Sequence, residues 1–358
     1  MELTQSIDPR EAKLNDIIAR GKASLTTSLE EIQQEFANRQ DMIVKPSAID
    51  FVLDDHTIRP VIRDHAYRLT THSQTQALQR AGIPSQFATR LKDLDERDLL
   101  RQNLKRLTER TQEDGIQIRR VGETIKGWLS PAYKRMDAAP VMEAYLKRSL
   151  EKGFVPYRGM NTEYRYQIAM IQPKVWEPVS GEFVVFGTSL VTGDYGNQSL
   201  EIDLLMLRIV CLNLAIGYDM FRKIHLGSRF QMGDGDEIVP ISQQTIKLDN
   251  DTISSAVADV VDASGNHIKL LEEKIQQANQ KEIKDPKSIC DLLKKRGIRK
   301  EIIEQINTAY SLPQEVEILP RGNNLWRLSN AISLVANGVE KADEKLELER
   351  EAMLLLMN

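Results

Sequence analysis

Between Arg119 and Tyr166 the chain interleaves cations with aromatic rings. Arg119, Arg120, Lys126 and Trp128 come first, then Tyr133, Lys134 and Arg135 in "SPAYKRMD", then Tyr157, Arg158, Tyr164, Arg165 and Tyr166. This mixture suits a single-stranded nucleic acid, because bases stack on rings while cations neutralise phosphates and release their counterions. The candidate contacts are Arg119, Arg120, Lys126, Tyr133, Lys134, Arg135, Arg158 and Arg165. In "EYRYQ", strand alternation puts Arg165 on one face and both tyrosines on the other, which leaves a single side for a ligand. The same residue types also fit an ordinary sheet, with rings inside and cations in water.

Signatures of catalysis are missing from the sequence. There is no phosphate-cradling GxxxxGK[ST] loop, no GxGxxG and no GxSxG elbow. His56, His65, His72, His225 and His267 are scattered, and none stands at metal-ligand spacing from another histidine or from a cysteine. A two-metal nuclease needs converging acids, with Asp54-Asp55, Asp194 and Glu201/Asp203 as candidates. No lysine follows Glu201 or Asp203 at a spacing of two. "MGDGDEI" lacks the full pattern of a calcium loop and reads as a solvated turn. The expectation is therefore no enzyme, no cofactor and no metal site.

Charge is uneven along the chain. The net charge is −4, yet residues 101–180 hold 15 Lys/Arg against 9 Asp/Glu, a local excess of +6. Residues Glu340 to Asn358 hold 6 acids against 3 bases, so a basic middle precedes an acidic end. With 358 residues and 41% apolar content the chain can bury a sizeable core. No apolar run is long enough for a membrane span, and the first residues lack a secretory pattern. Cys211 and Cys290 offer no disulfide framework, which suggests a reducing cytoplasm.

The elements that must position these residues can be read from periodicity. Residues 10–40 read as a helix, with Leu14, Ile17, Ile18, Leu29, Ile32 and Phe36 at helical spacing. A short strand follows at "DMIVKP", then strand pieces to about residue 66, then three helices, the second opened by Pro84. "IQIRRVGETIKGWLS" predicts a hairpin turning at Gly122-Glu123. Asp137 should cap a helix that buries Val141, Tyr145, Leu146 and Leu150 and stops at Gly153. "NTEYRYQIAMI" and "EFVVFGTSLV" read as strands, "GDYGN" as a turn, and "QSLEIDLLMLRIVCLNLAIG" as a strand and then an apolar segment of open type. Beyond about residue 240 the texture is helical and ends in one long amphipathic helix. The expected fold is α+β: a small twisted antiparallel sheet packed on helices, with helical N-terminal and C-terminal parts. The expected divisions are a helical segment at 1–45, an α+β core at 46–235 and a helical region at 236–358.

Four stretches also carry a family resemblance. "QALQRAGIPSQFATRL", "IRRVGETIKGWLSPAYKRMDAAPVMEAYL", "FGTSLVTGDYGNQSLEIDLLMLRIVCLNLAIG" and "NLWRLSNAISLVANGVEKADEKLELEREAMLLL" resemble, in order, motifs of the phage- and plasmid-borne "domain of unknown function 932" family. The chain departs from that pattern at Leu214, where the family usually has Gly, and at Thr188-Ser189, where it often has Asn-Ser. The element order is similar, at the level of fold, to phage single-strand annealing proteins of the RecT/Redβ type. The resemblance implies a non-enzymatic protein that binds and anneals single-stranded DNA as a ring or filament of identical subunits, in recombination or replication in the cytoplasm of a bacterial host. Two alternatives stand beside it: a phage-encoded protein that binds a host protein, which the acidic end would suit, and a metal-dependent nuclease.

Overall fold

A computed structural model describes residues 9–111, 114–131, 133, 137–196, 198–209, 212–223, 243–284, 286–315 and 318–357. Lys134, Arg135, Cys211, His225 and the "MGDGDEI" stretch lie outside these residues.

The first helix, α1 (Pro9–Asn38), leads directly into β1 (Arg39–Val44). A hairpin of β2 (Ile49–Asp54) and β3 (Thr57–Ile62) follows, then the short β4 (His65–Ala66) and β5 (Arg68–Leu69). Three helices come next: α2 (Thr71–Arg80), α3 (Ser85–Asp93) and α4 (Arg97–Glu109). The expected hairpin is β6 (Ile116–Val121) and β7 (Thr124–Leu129), and Gly122 at φ +55° supplies the left-handed turn residue. β1, β6, β7 and β5 form one sheet in that order, antiparallel except for the β5–β7 pair. Leu78, Leu91, Leu100 and Leu104 of the three helices pack with Ile116, Ile118, Ile125 and Trp128 of this sheet. β2, β3 and β4 form a separate small sheet.

The larger sheet begins after α5 (Ala138–Glu151). Its strands are β8 (Val155–Asn161), β9 (Tyr166–Ile171), β10 (Trp176–Val179), β11 (Glu182–Thr192), β12 (Leu200–Arg208) and β13 (Asn213–Lys223). The order is β13-β12-β11-β9-β8, with β10 paired to β11 and every pairing antiparallel. The apolar segment of open type is thus the β12–β13 hairpin. Alternate residues of β9, β11 and β12 face opposite ways, and both faces are covered. Ile168, Leu190 and Ile202 meet α5 and α6 (Gln243–Gln280), whereas Ala169, Val185 and Leu205 meet Leu14 and Ile17 of α1. A sheet covered on both sides needs apolar residues at nearly every position, which is why "IDLLML" shows no alternation.

Four more helices complete the α+β fold: α7 (Pro286–Lys295), α8 (Lys300–Tyr310), α9 (Leu325–Asn337) and α10 (Ala342–Met357). The single long terminal helix that was expected is two, because α9 ends at Gly338 and α10 folds back along α9 and β13. Trp326, Leu328, Ile332, Leu348, Met353 and Leu356 share one core, so the amphipathic stripe is packing. Two apolar expectations fail in the same way. Phe36 and Leu150 are 42% and 55% exposed, and the buried stripe of α5 runs through Ala138, Val141, Met142 and Tyr145 instead.

Residues 9–44 join two lobes, one around the β1-β6-β7-β5 sheet and one around the larger sheet. β1 completes the first sheet, while α1 lies on β8 of the second. Close approach there depends on two glycines. A Cβ on Gly21 would sit 2.6 Å from Tyr157 O, and one on Gly159 would sit 2.7 Å from Leu25 Cα.

Candidate nucleic-acid interface

The first sheet and the turns of the second bring the cations and rings together in two places, with most cations already engaged. Arg119 lies on β6 opposite Asp41 of β1 and is fully buried. Its Nε and Nη2 donate to the two Asp41 carboxylate oxygens at 2.7 and 2.8 Å, and its Nη1 donates to Asp194 O at 2.6 Å. Burial opposes its charge, but Asp41 more than offsets this and holds the guanidinium more basic than usual. Arg119 therefore ties the two lobes together and does not reach solvent. This corrects its expected role at the surface.

Around it runs an unforeseen network. Arg39 donates to Asp137 at 2.6 Å and to Asp194 at 2.5 Å. Asp137 stands at the N-cap of α5, as expected, but its side chain makes no cap bond. Asp194, from the "GDYGN" turn, accepts from Ala138 N at 3.0 Å in its stead. Tyr133 lies beside Arg119 and Asp194, and burial pushes its phenol up. Lys126 pairs with Glu35 of α1 and sits 5.2 Å from the Tyr195 ring centre. The Tyr166 and Tyr195 hydroxyls donate to the other Glu35 oxygen at 2.8 and 2.9 Å. Arg120, half-buried, donates to Gln40 and lies 5.3 Å from the Tyr67 ring centre.

Arg158 and Arg165 belong to a different neighbourhood. Arg158, on β8, makes a forked pair with Glu349 of α10 at 2.8 and 2.6 Å, and Glu349 is 1% exposed. It also donates to Gln167 at 3.0 Å. The guanidinium is thus committed to a buried carboxylate, so Arg158 too is corrected from surface contact to structural tie. On the same sheet Arg350 of α10 donates to Glu201 and, at 3.0 Å, to Asp203. Those two carboxylates thus hold an arginine. Among the described residues no group of three or more His, Cys, Asp or Glu is arranged to hold a metal ion.

Arg165 lies in the β8–β9 turn and not on a strand, so the expected alternation of "EYRYQ" does not apply. Freed from the sheet, Tyr164 turns onto α2 and stacks on His72, with ring centres 4.3 Å apart and planes 14° from parallel. The Arg165 guanidinium sits 5.0 Å from the Tyr164 ring centre. His72 Nε2–H donates to Tyr195 O at 3.0 Å, and burial lowers the pKa of the ring, so it stacks neutral at pH 7. Its backbone N–H donates to Glu163 at 2.9 Å. Tyr164 and Arg165 are half-buried: His72 stacks on the Tyr164 ring and the Arg165 guanidinium lies over it, a layer whose cation plane a base could stack on. That is the chemistry of a base-stacking platform.

Sequence reasoning did not single out His72, Glu35, Arg39 or Asp343 for this site. His72 has no metal-ligand spacing, and the other three are separated from their partners by roughly 90 to 180 positions, so no local pattern marks them. No family model matches the chain, and no curated protein and no solved structure matches it.

Proposed function

We propose that the chain binds single-stranded DNA without catalysis and anneals it as a homo-oligomer. The observation that carries this reading is the Arg165–Tyr164–His72 stack, a half-buried guanidinium layered over a tyrosine ring at the junction of the two lobes. Each base offers a π-face, so such a platform binds strands with little regard to sequence. The basic excess of residues 101–180 and the family resemblance support the same class. Lys126, beside Tyr195 of the "GDYGN" turn, and Arg120, beside Tyr67, are the other half-buried candidate cations and would add phosphate contacts. One subunit has room for few nucleotides, so annealing calls for several copies side by side.

The test is a gel shift with labelled single-stranded and duplex DNA, using wild type and Tyr164→Ala/Arg165→Ala. The expected result is a preference for the single strand, with binding that the double substitution weakens by about 5- to 150-fold, since stacking contributes about 1–3 kcal/mol per base. Light scattering should show an oligomer that grows on adding single strand. Equal affinity for wild type and variant would remove the platform from the reading, and a strict monomer would remove annealing.

A further inference from the structure

The acidic end of the chain lies against the same platform. Asp343, in the first turn of α10, accepts from Arg165 Nη1 at 3.1 Å and neighbours both Tyr164 and His72. Glu347, one turn on and exposed, also neighbours Tyr164. A carboxylate on an arginine that lies over a tyrosine ring presents the negative charge and the acceptor oxygen that a nucleic-acid phosphate would present.

We propose that the first turns of α10 act as an intramolecular phosphate mimic, with Asp343 and Glu347 competing against single-stranded DNA for Arg165 and Tyr164. The inference rests on the nucleic-acid reading above. The geometry separates this contact from the rest of the helix. Leu348, Ala352, Met353, Leu355 and Leu356 fix α10 from residue 348 onward, while no side chain of residues 342–347 is fully buried. The joint after Gly338 precedes those turns. The Arg158–Glu349 pair lies in the anchored part with its carboxylate 1% exposed, whereas the Asp343 carboxylate is 37% exposed. Asp343 is the more exposed end of its pair and stands outside the anchored part of α10, so an incoming polyanion can replace its carboxylate without unseating the helix.

The experiment uses the full chain and a fluorescein-labelled oligothymidylate, read by anisotropy at low and high salt. Asp343→Asn should tighten binding about 2- to 5-fold and Asp343→Asn/Glu347→Gln about 3- to 10-fold at low salt, with smaller gains at high salt. Glu344→Gln carries the same charge change but frees Arg299, the partner of Glu344, and should gain less. In a Tyr164→Ala/Arg165→Ala background the Asp343→Asn gain should vanish. Binding by wild type that Asp343→Asn leaves unchanged, or improves no more than Glu344→Gln does, overturns this inference alone. Absence of binding by every variant overturns the nucleic-acid reading together with it.

Discussion

Arg119→Ala is the substitution whose outcome the structure fixes most firmly, and it should act through stability alone. The side chain is fully buried and all three of its hydrogen bonds go to protein, two to Asp41 and one to Asp194 O. Truncation leaves the Asp41 carboxylate, 26% exposed, without its counter-charge, strands a buried carbonyl, and opens a cavity between the lobes. Removing one partner of such a pair costs about 3–5 kcal/mol. For a cooperative unit of about 150–250 residues, at about 2–4 °C per kcal/mol, the melting temperature should fall by roughly 6–20 °C. Calorimetry measures the fall, and urea unfolding of Arg119→Ala, Asp41→Ala and the double variant gives the coupling between the two residues. A loss below about 1 kcal/mol would refute the tie. So would intact stability with abolished DNA binding, because that pattern belongs to a residue that meets the ligand.

Two further outcomes follow from packing and protonation. Gly21→Ala and Gly159→Ala should each destabilise by about 1–3 kcal/mol, since the new Cβ meets main chain across the α1–β8 contact and overrides the gain in helix propensity at Gly21. Gly265→Ala on α6, where nothing lies within 4 Å, should instead stabilise by up to about 1 kcal/mol, and urea midpoints of the three variants check the contrast. For His72 the folded pKa is lowered from 6.5 by burial, so below that pH the unfolded chain takes up a proton that the folded ring resists. Its contribution is complete above about pH 6.5 and is lost as pH falls. Wild type should therefore lose more stability between about pH 7.5 and about pH 5.5 than His72→Gln, and parallel losses would contradict the assignment.

Local chemistry made much of the scaffold legible. The β6–β7 hairpin followed from Gly122-Glu123, and the end of α5 followed from Gly153, at positive φ. The break between α9 and α10 was not legible, because apolar spacing continues through Gly338 while the chain reverses. The candidate site was readable only as an inventory. Composition placed Arg119, Lys126, Arg158 and Arg165 in one basic, aromatic segment, but it could not show that Asp41, Glu35, Glu349 and Asp343 neutralise them. Those pairings depend on which strand lies beside which and on where α10 returns, and both are set by tertiary packing. The strand alternation assumed for "EYRYQ" failed because Thr162 accepts from the backbone N–H of Arg165 and closes a turn there. That turn is what releases Tyr164 to stack on His72.

The most direct test of nucleic-acid binding is the affinity for a labelled single strand as a function of salt. If Arg165, Arg120 and Lys126 meet phosphates, three contacts at about 0.7 counterions each give a log–log slope of about −2 or steeper, with weaker binding of duplex at every salt concentration. Arg165→Ala should flatten that slope by roughly 0.7. Absence of binding, or an affinity that does not change with salt, would contradict the account.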